Sequence, residues 1–133
     1  MANAIYPLYK QALLDGSANT DMSAGTVKVA LVDTGTYTYS GAHDFYNDVS
    51  GVVGTPQTIG SKTFTNGTFD GADVTFSSVS GASVEALIIY IDTGVSTTSR
   101  LVAYIDTGVT GLPVTPNGGD ITVTWNASGI FTL

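Results

Sequence analysis

Two runs of this chain are apolar at every position, "ALIIYI" at 86–91 and "LVAYI" at 101–105. A strand with one face in water alternates apolar and polar side chains, whereas a strand covered on both faces does not. Runs this short, closed by turn residues, read as strands and not helices. Each ends in Asp-Thr-Gly, at 92–94 and 106–108, so the unit "YIDTGVSTTSRLVAYIDTGV" folds as strand, loop, strand. Both strands belong in the middle of a packed β structure, and the rest of the chain must supply what covers them.

The other segments are of the right kind to do so. In "TVKVALVD", Val27, Val29 and Leu31 share one side with period two. In "TFTNGTF", Asn66-Gly67 is the preferred type I′ pair for a hairpin between two short arms. "DVTFSSV" alternates at Val74 and Phe76, and the doubled serine throws Val79 out of phase, which predicts a bulge. In "ITVTWNASGIFTL", Ile121, Val123 and Trp125 alternate with threonines before a turn at 126–129. The 20 Thr, 12 Ser and 16 Gly fit this pattern, since threonine suits a pleated surface and glycine permits tight turns. Seven or eight short strands in 133 residues predict an all-β fold, a single β-sandwich of jelly-roll type over residues 25–133.

One helix is expected, near the start. Ile5, Tyr9, Ala12 and Leu13 fall on one face, Pro7 fits the first turn and Gly16 can close the end. A helix of about three turns is marginal alone in water and needs a surface to pack on. Residues 1–24 read as an arm appended to the sandwich, with Ile5, Tyr6, Leu8 and Tyr9 offering an apolar face to a neighbouring protomer or another protein. "AHDFYNDV" at 42–49 predicts a helical turn that carries Phe45 and Val49 inward, and Phe45 and Tyr46 join the first four as candidate interface residues.

The third copy of Asp-Thr-Gly, at 33–35, raises the question of an aspartic protease, in which two carboxylates share a proton and activate water. Three equivalent copies, two of them only fourteen residues apart, argue for a structural reading in which Asp caps a turn and Gly accepts positive φ. His43 is the only histidine; with Asp44 and Asp48 it could be drawn as a ligand set, but no second histidine completes a zinc site. "DGAD" at 70–73 lacks the ligand ladder of a calcium loop. No serine has a histidine partner at a recognisable spacing, so neither a catalytic residue nor a metal or other cofactor is expected. Tyr37, Tyr39, Tyr46, Tyr90 and Tyr104 could line a sugar platform, because aromatic faces suit pyranose rings.

Charge narrows the partners. The four basic residues, Lys10, Lys28, Lys62 and Arg100, are dispersed against eleven acids, for a net charge of −7. Nucleic acid and anionic membrane call for clustered Lys and Arg, so neither is expected to bind. With no cysteine, no disulfide or thiol chemistry arises. "MANAIYPLYK" has neither a basic n-region nor a long apolar core, and no signal peptide or membrane span is expected.

Several stretches together resemble a family of small virion proteins encoded beside the capsid genes of tailed bacteriophages. They are "GTVKVALVDTGTYTYSGAHDFYNDVSG", "FDGADVTFSSVSG", "ALIIYIDTG" with "SRLVAYID", and the closing "ITVTWNASGIFTL". The likeness runs from about residue 3 to the end, and its most specific pieces are His-Asp-Phe-Tyr-Asn-Asp and Trp-Asn-Ala-Ser-Gly-Ile-Phe. Where relatives carry a Gly-rich aromatic segment after Asp-Val, this chain has "VVGTPQTIGSKTFTNG". The resemblance implies a capsid decoration or cement protein with a β-sandwich or jelly-roll body and no enzyme activity. It would sit on the virion surface, assembled in the host cytoplasm, with the major capsid protein and further copies of itself as partners. Decoration subunits on symmetry axes form closed oligomers, and a trimer is favoured over a dimer.

Overall fold

The computed structural model describes residues 3–133. In chain order the elements are β1 (Ala4–Ile5), α1 (Pro7–Asp15), β2 (Thr26–Val32), β3 (Val52–Thr58), β4 (Thr68–Phe69), β5 (Val74–Phe76), β6 (Ala86–Asp92), β7 (Arg100–Ile105), β8 (Ile121–Val123) and β9 (Phe131–Thr132). A five-stranded antiparallel sheet has the order β1-β7-β6-β2-β3, and two ribbons, β4-β9 and β5-β8, complete the β structure.

β6 is the central strand and β7 its neighbour, as their unbroken apolar runs demand. Directly opposed residues share a face. Ala30, Ile88 and Tyr104 therefore line one face, while Val29, Ile89 and Ala103 line the other, and all six are buried. Loop 33–49 covers the first face: Tyr37 and Tyr39 pack on Tyr104, and Tyr46 stacks on Tyr90 with centroids 4.1 Å apart. The ribbons add Phe69, Val74, Phe76, Ile121, Val123 and Trp125 to the same core. Each large apolar side chain so buried stabilises by about 1.5 to 3 kcal/mol. The result is an all-β sandwich fold. Its strand order, one five-stranded sheet with two ribbons, differs from the paired Greek keys of the expected jelly roll. The outer strand β3 carries Pro56 and a left-handed Gly54 (φ 71), features that blunt an edge against further pairing.

The helix forms as its signals predict, with Pro7 at its first position and Gly16 (φ 70) closing it. Its setting differs from the expected arm. Ile5 lies in β1, where Ala4 pairs with Tyr104 and Ile5 with Ala103, and Tyr6 N–H then donates to the Val102 carbonyl at 3.0 Å. Tyr6 and Tyr9 are buried in the chain's own core. The first residues described are thus woven into the sandwich and do not lie beside it. The reason is the open outer edge of β7, which gains two residues of ladder from β1.

Two further expectations are corrected in detail. Asn66 (φ 52) and Gly67 (φ 78) both adopt the positive φ of a type I′ pair, but the hairpin closes further out, at Thr63 and Asp70, and β4 takes β9 as its partner. Val79 is buried because Ser78 turns through positive φ (52) after β5 has ended, so the phase change is a turn and not a bulge within a ladder. The 42–49 stretch does form a short 3-10 turn, at Tyr46–Asp48, with Phe45 and Val49 half-buried.

Candidate functional site

The three Asp-Thr-Gly copies close the three central strands. The register pairs Thr26 with Asp92 and Val32 with Ala86, so Asp33 and Asp92 stand at opposite ends of the sheet, about 20 Å apart along a seven-residue strand. Asp33 and Asp106 share an end but flank β6, one on either side. A proton-sharing dyad needs carboxylates about 3 Å apart, and this arrangement does not bring the copies together in that way. Instead, Asp33 Oδ1 accepts from Gly35 N–H at 2.8 Å and Asp92 Oδ1 from Gly94 N–H at 3.0 Å, the turn-capping role predicted for them. The Gly94 N–H, with Lys28 Nζ 3.0 Å from Oδ2, holds the Asp92 carboxyl below the usual carboxylate range.

The end of the sheet shared by Asp33 and Asp106 also carries Glu85, the chain's only glutamate, just before β6. Glu85 Oε1 accepts from the N–H and the hydroxyl of Thr34, both at 3.0 Å. Asn3 Oδ1 accepts from Asp106 N–H at 2.7 Å and Thr107 N–H at 3.0 Å, which fixes the turn after β7. Between these strand ends and loop 33–49 lies a cleft of about 450 Å³. Its aromatic side belongs to a continuous cluster: Tyr39 packs on Tyr6 at 5.1 Å and on Tyr104 at 5.4 Å, and Tyr37 on Tyr104 at 6.5 Å. Burial is the main cause that raises the Tyr37, Tyr39 and Tyr104 hydroxyls above their ordinary pKa, and Asp106 and Glu85 add to the rise at Tyr104.

The five tyrosines named from the sequence therefore divide. Tyr37, Tyr39 and Tyr104 meet at the cleft, while Tyr46 and Tyr90 stack on each other along the same face. Sequence reasoning did not find Glu85, and it met Thr34 and Thr107 only as members of the Asp-Thr-Gly copies, because only the strand register brings the three to one end.

Of the candidate interface residues, Tyr6 and Tyr9 are internal and leave that set, while Ile5, Leu8, Phe45 and Tyr46 are half-buried. Phe45 lies under the Arg100 guanidinium at 4.9 Å, and Arg100 also donates to the Ala18 carbonyl. The residues with most apolar surface in solvent are others: Leu14, 90% exposed on α1, and Val95, Phe64 and Leu133.

The remaining chemical candidates serve the fold. His43 Nδ1 lies 2.8 Å from the Tyr37 hydroxyl, and Asp48 Oδ2 accepts from Asp44 N–H at 3.0 Å. Asp73 Oδ1 accepts from Trp125 N–H, and Trp125 Nε1 donates to the Ala72 carbonyl, so the 70–73 stretch braces the tryptophan. Lys62 Nζ donates to the carbonyls of Met22 and Gly25, both at 2.7 Å. Among the described residues no group of three or more His, Cys, Asp or Glu is placed to hold a metal ion, and no helix is long and apolar enough to cross a membrane.

A scan against models of known protein families finds no match for this chain, and a comparison with curated proteins finds none either.

Proposed function

We propose that this chain is a non-enzymatic structural protein of a phage virion, a decoration or cement subunit that binds the head and bridges neighbouring copies of the major capsid protein. The observation that supports this reading is where the family-like stretches fall. His43 and Tyr46 brace loop 33–49 against the tyrosines, residues 86–105 form the two central strands, and Trp125 is tied to Ala72 and Asp73. What resembles the virion family is the scaffold itself, as expected of a protein whose role is to hold a shape on a particle.

Such a subunit works through repeated weak contacts, because a closed oligomer on a symmetry axis engages several capsid subunits at once. We favour a trimer over a dimer. With Tyr6 and Tyr9 internal, the contact surface falls to exposed apolar residues, Leu14 foremost. The alternative is a tail or fibre component of the same particle. The test is co-sedimentation of purified protein with heads that lack it: saturable uptake supports a head-binding subunit, and no uptake by heads combined with uptake by tails moves the protein to the tail.

A further inference from the structure

We infer that the cleft at the Glu85 end of the sheet is a binding site for a neutral pyranose sugar. The lining of the cleft is of two kinds. Tyrosine rings form one part, with Tyr39 half-buried and resting on Tyr104; hydroxyl- and carboxylate-bearing residues, Thr34, Glu85, Asp106 and Thr107, form the other. A pyranose has the same division, with a C–H face that packs on an aromatic ring and a rim of hydroxyls that donate to carboxylates. The volume of about 450 Å³ lies within the range of small-ligand sites.

Charge and ring geometry select among ligands. Among the described residues the Glu85 carboxylate lines the cleft and no Lys or Arg does, so sialic and uronic acids are disfavoured. The rings pack directly on one another, at 5.1 Å for Tyr6 with Tyr39 and 5.4 Å for Tyr39 with Tyr104, and form a layer, not a cage around a void. A quaternary ammonium needs the cage. A sugar needs one accessible face with acceptors beside it, and the cleft is lined by both kinds of residue: the half-buried Tyr39, and Glu85, whose Oε1 accepts from Thr34.

On a virion this site would tether the particle to surface glycans, a function additional to capsid binding and independent of it. The test is titration of the isotope-labelled protein, followed by amide NMR, with methyl glucoside, galactoside, mannoside and N-acetylglucosaminide, and with glucuronate and tetramethylammonium as contrasts. The expected result is saturable shifts at the 33–39, 85 and 104–107 amides with at least one neutral sugar, at a Kd of about millimolar. Glucuronate should bind at least about tenfold more weakly, and Tyr39→Ala should weaken the sugar about tenfold. Because Tyr39 also packs on Tyr6, a second variant is used: Thr38 is exposed and lines the cleft, and Thr38→Arg fills it without touching the core. A folded Thr38→Arg protein that still binds sugar overturns the site. So does a wild-type protein that responds to none of the sugars, or that responds to tetramethylammonium alone. Failure here leaves the capsid reading untouched, since head uptake is measured separately.

Discussion

The hydroxyl of Tyr6 lies 2.7 Å from the hydroxyl of Tyr37 in the interior of the domain, and Tyr37 in turn meets His43 Nδ1 at 2.8 Å. This short chain of hydrogen bonds joins the entry to α1, the loop after β2 and the stretch at 43–48. Tyr6→Phe removes one buried hydrogen bond and is expected to cost about 1 to 2 kcal/mol. Tyr6→Ala also opens a cavity and should cost about 3 to 5 kcal/mol. Urea unfolding of both variants checks the order; equal losses would mean that the ring contributes nothing beyond its hydroxyl.

Removal of residues 1–16 should destroy the cooperative fold. The deletion takes β1 from the edge of β7 and the buried Tyr6 and Tyr9 from the core. A strap that merely docked on a neighbour would leave a stable β domain behind; here the truncated product is expected to give no cooperative thermal transition.

Burial pushes the phenol of Tyr9 up to about 12, and those of Tyr6 and Tyr90 higher still. Since these groups hold their protons more tightly when folded than when unfolded, their contribution is complete below about pH 10 and is lost as pH rises beyond it. Alkaline titration followed by tyrosinate absorbance should show a fraction of the seven tyrosines ionising only together with loss of the fold.

Asp92 runs the other way. Its carboxyl is held low by the Gly94 N–H and by Lys28, so its stabilisation is present above about pH 4 and fades as pH falls through its lowered pKa. Asp92→Asn keeps an acceptor for Gly94 and loses only a half-buried ion pair that solvent still reaches, a change of about 1 kcal/mol or less. Asp92→Ala loses the turn cap as well and should cost about 0.5 to 2 kcal/mol. Thermal melts of the two variants across acid pH separate the contributions.

How far the sequence carried depends on the range of the signal. The central strands, α1 with Pro7 and Gly16, and the Asp33 and Asp92 turns were legible because each is decided by neighbours in the chain. The pairing of β4 with β9 and of β1 with β7 was not, since β1, β4 and β9 have only two residues each and every partner is 62 or more positions away. For the same reason Tyr6 and Tyr9 looked like a sticky outer face: periodicity shows that a face is apolar, but not which surface will cover it. The cleft was half legible. Its tyrosines stand out in the composition, while Glu85 and Thr107 become neighbours only once β2, β6 and β7 are in register.

The proposal that this protein coats a phage head is tested most directly by its copy number in purified particles, by quantitative mass spectrometry against the major capsid protein. A decoration subunit repeated over the lattice should be present in hundreds of copies, on the order of one per capsid-subunit contact it bridges. A handful of copies per particle, or none, would contradict it.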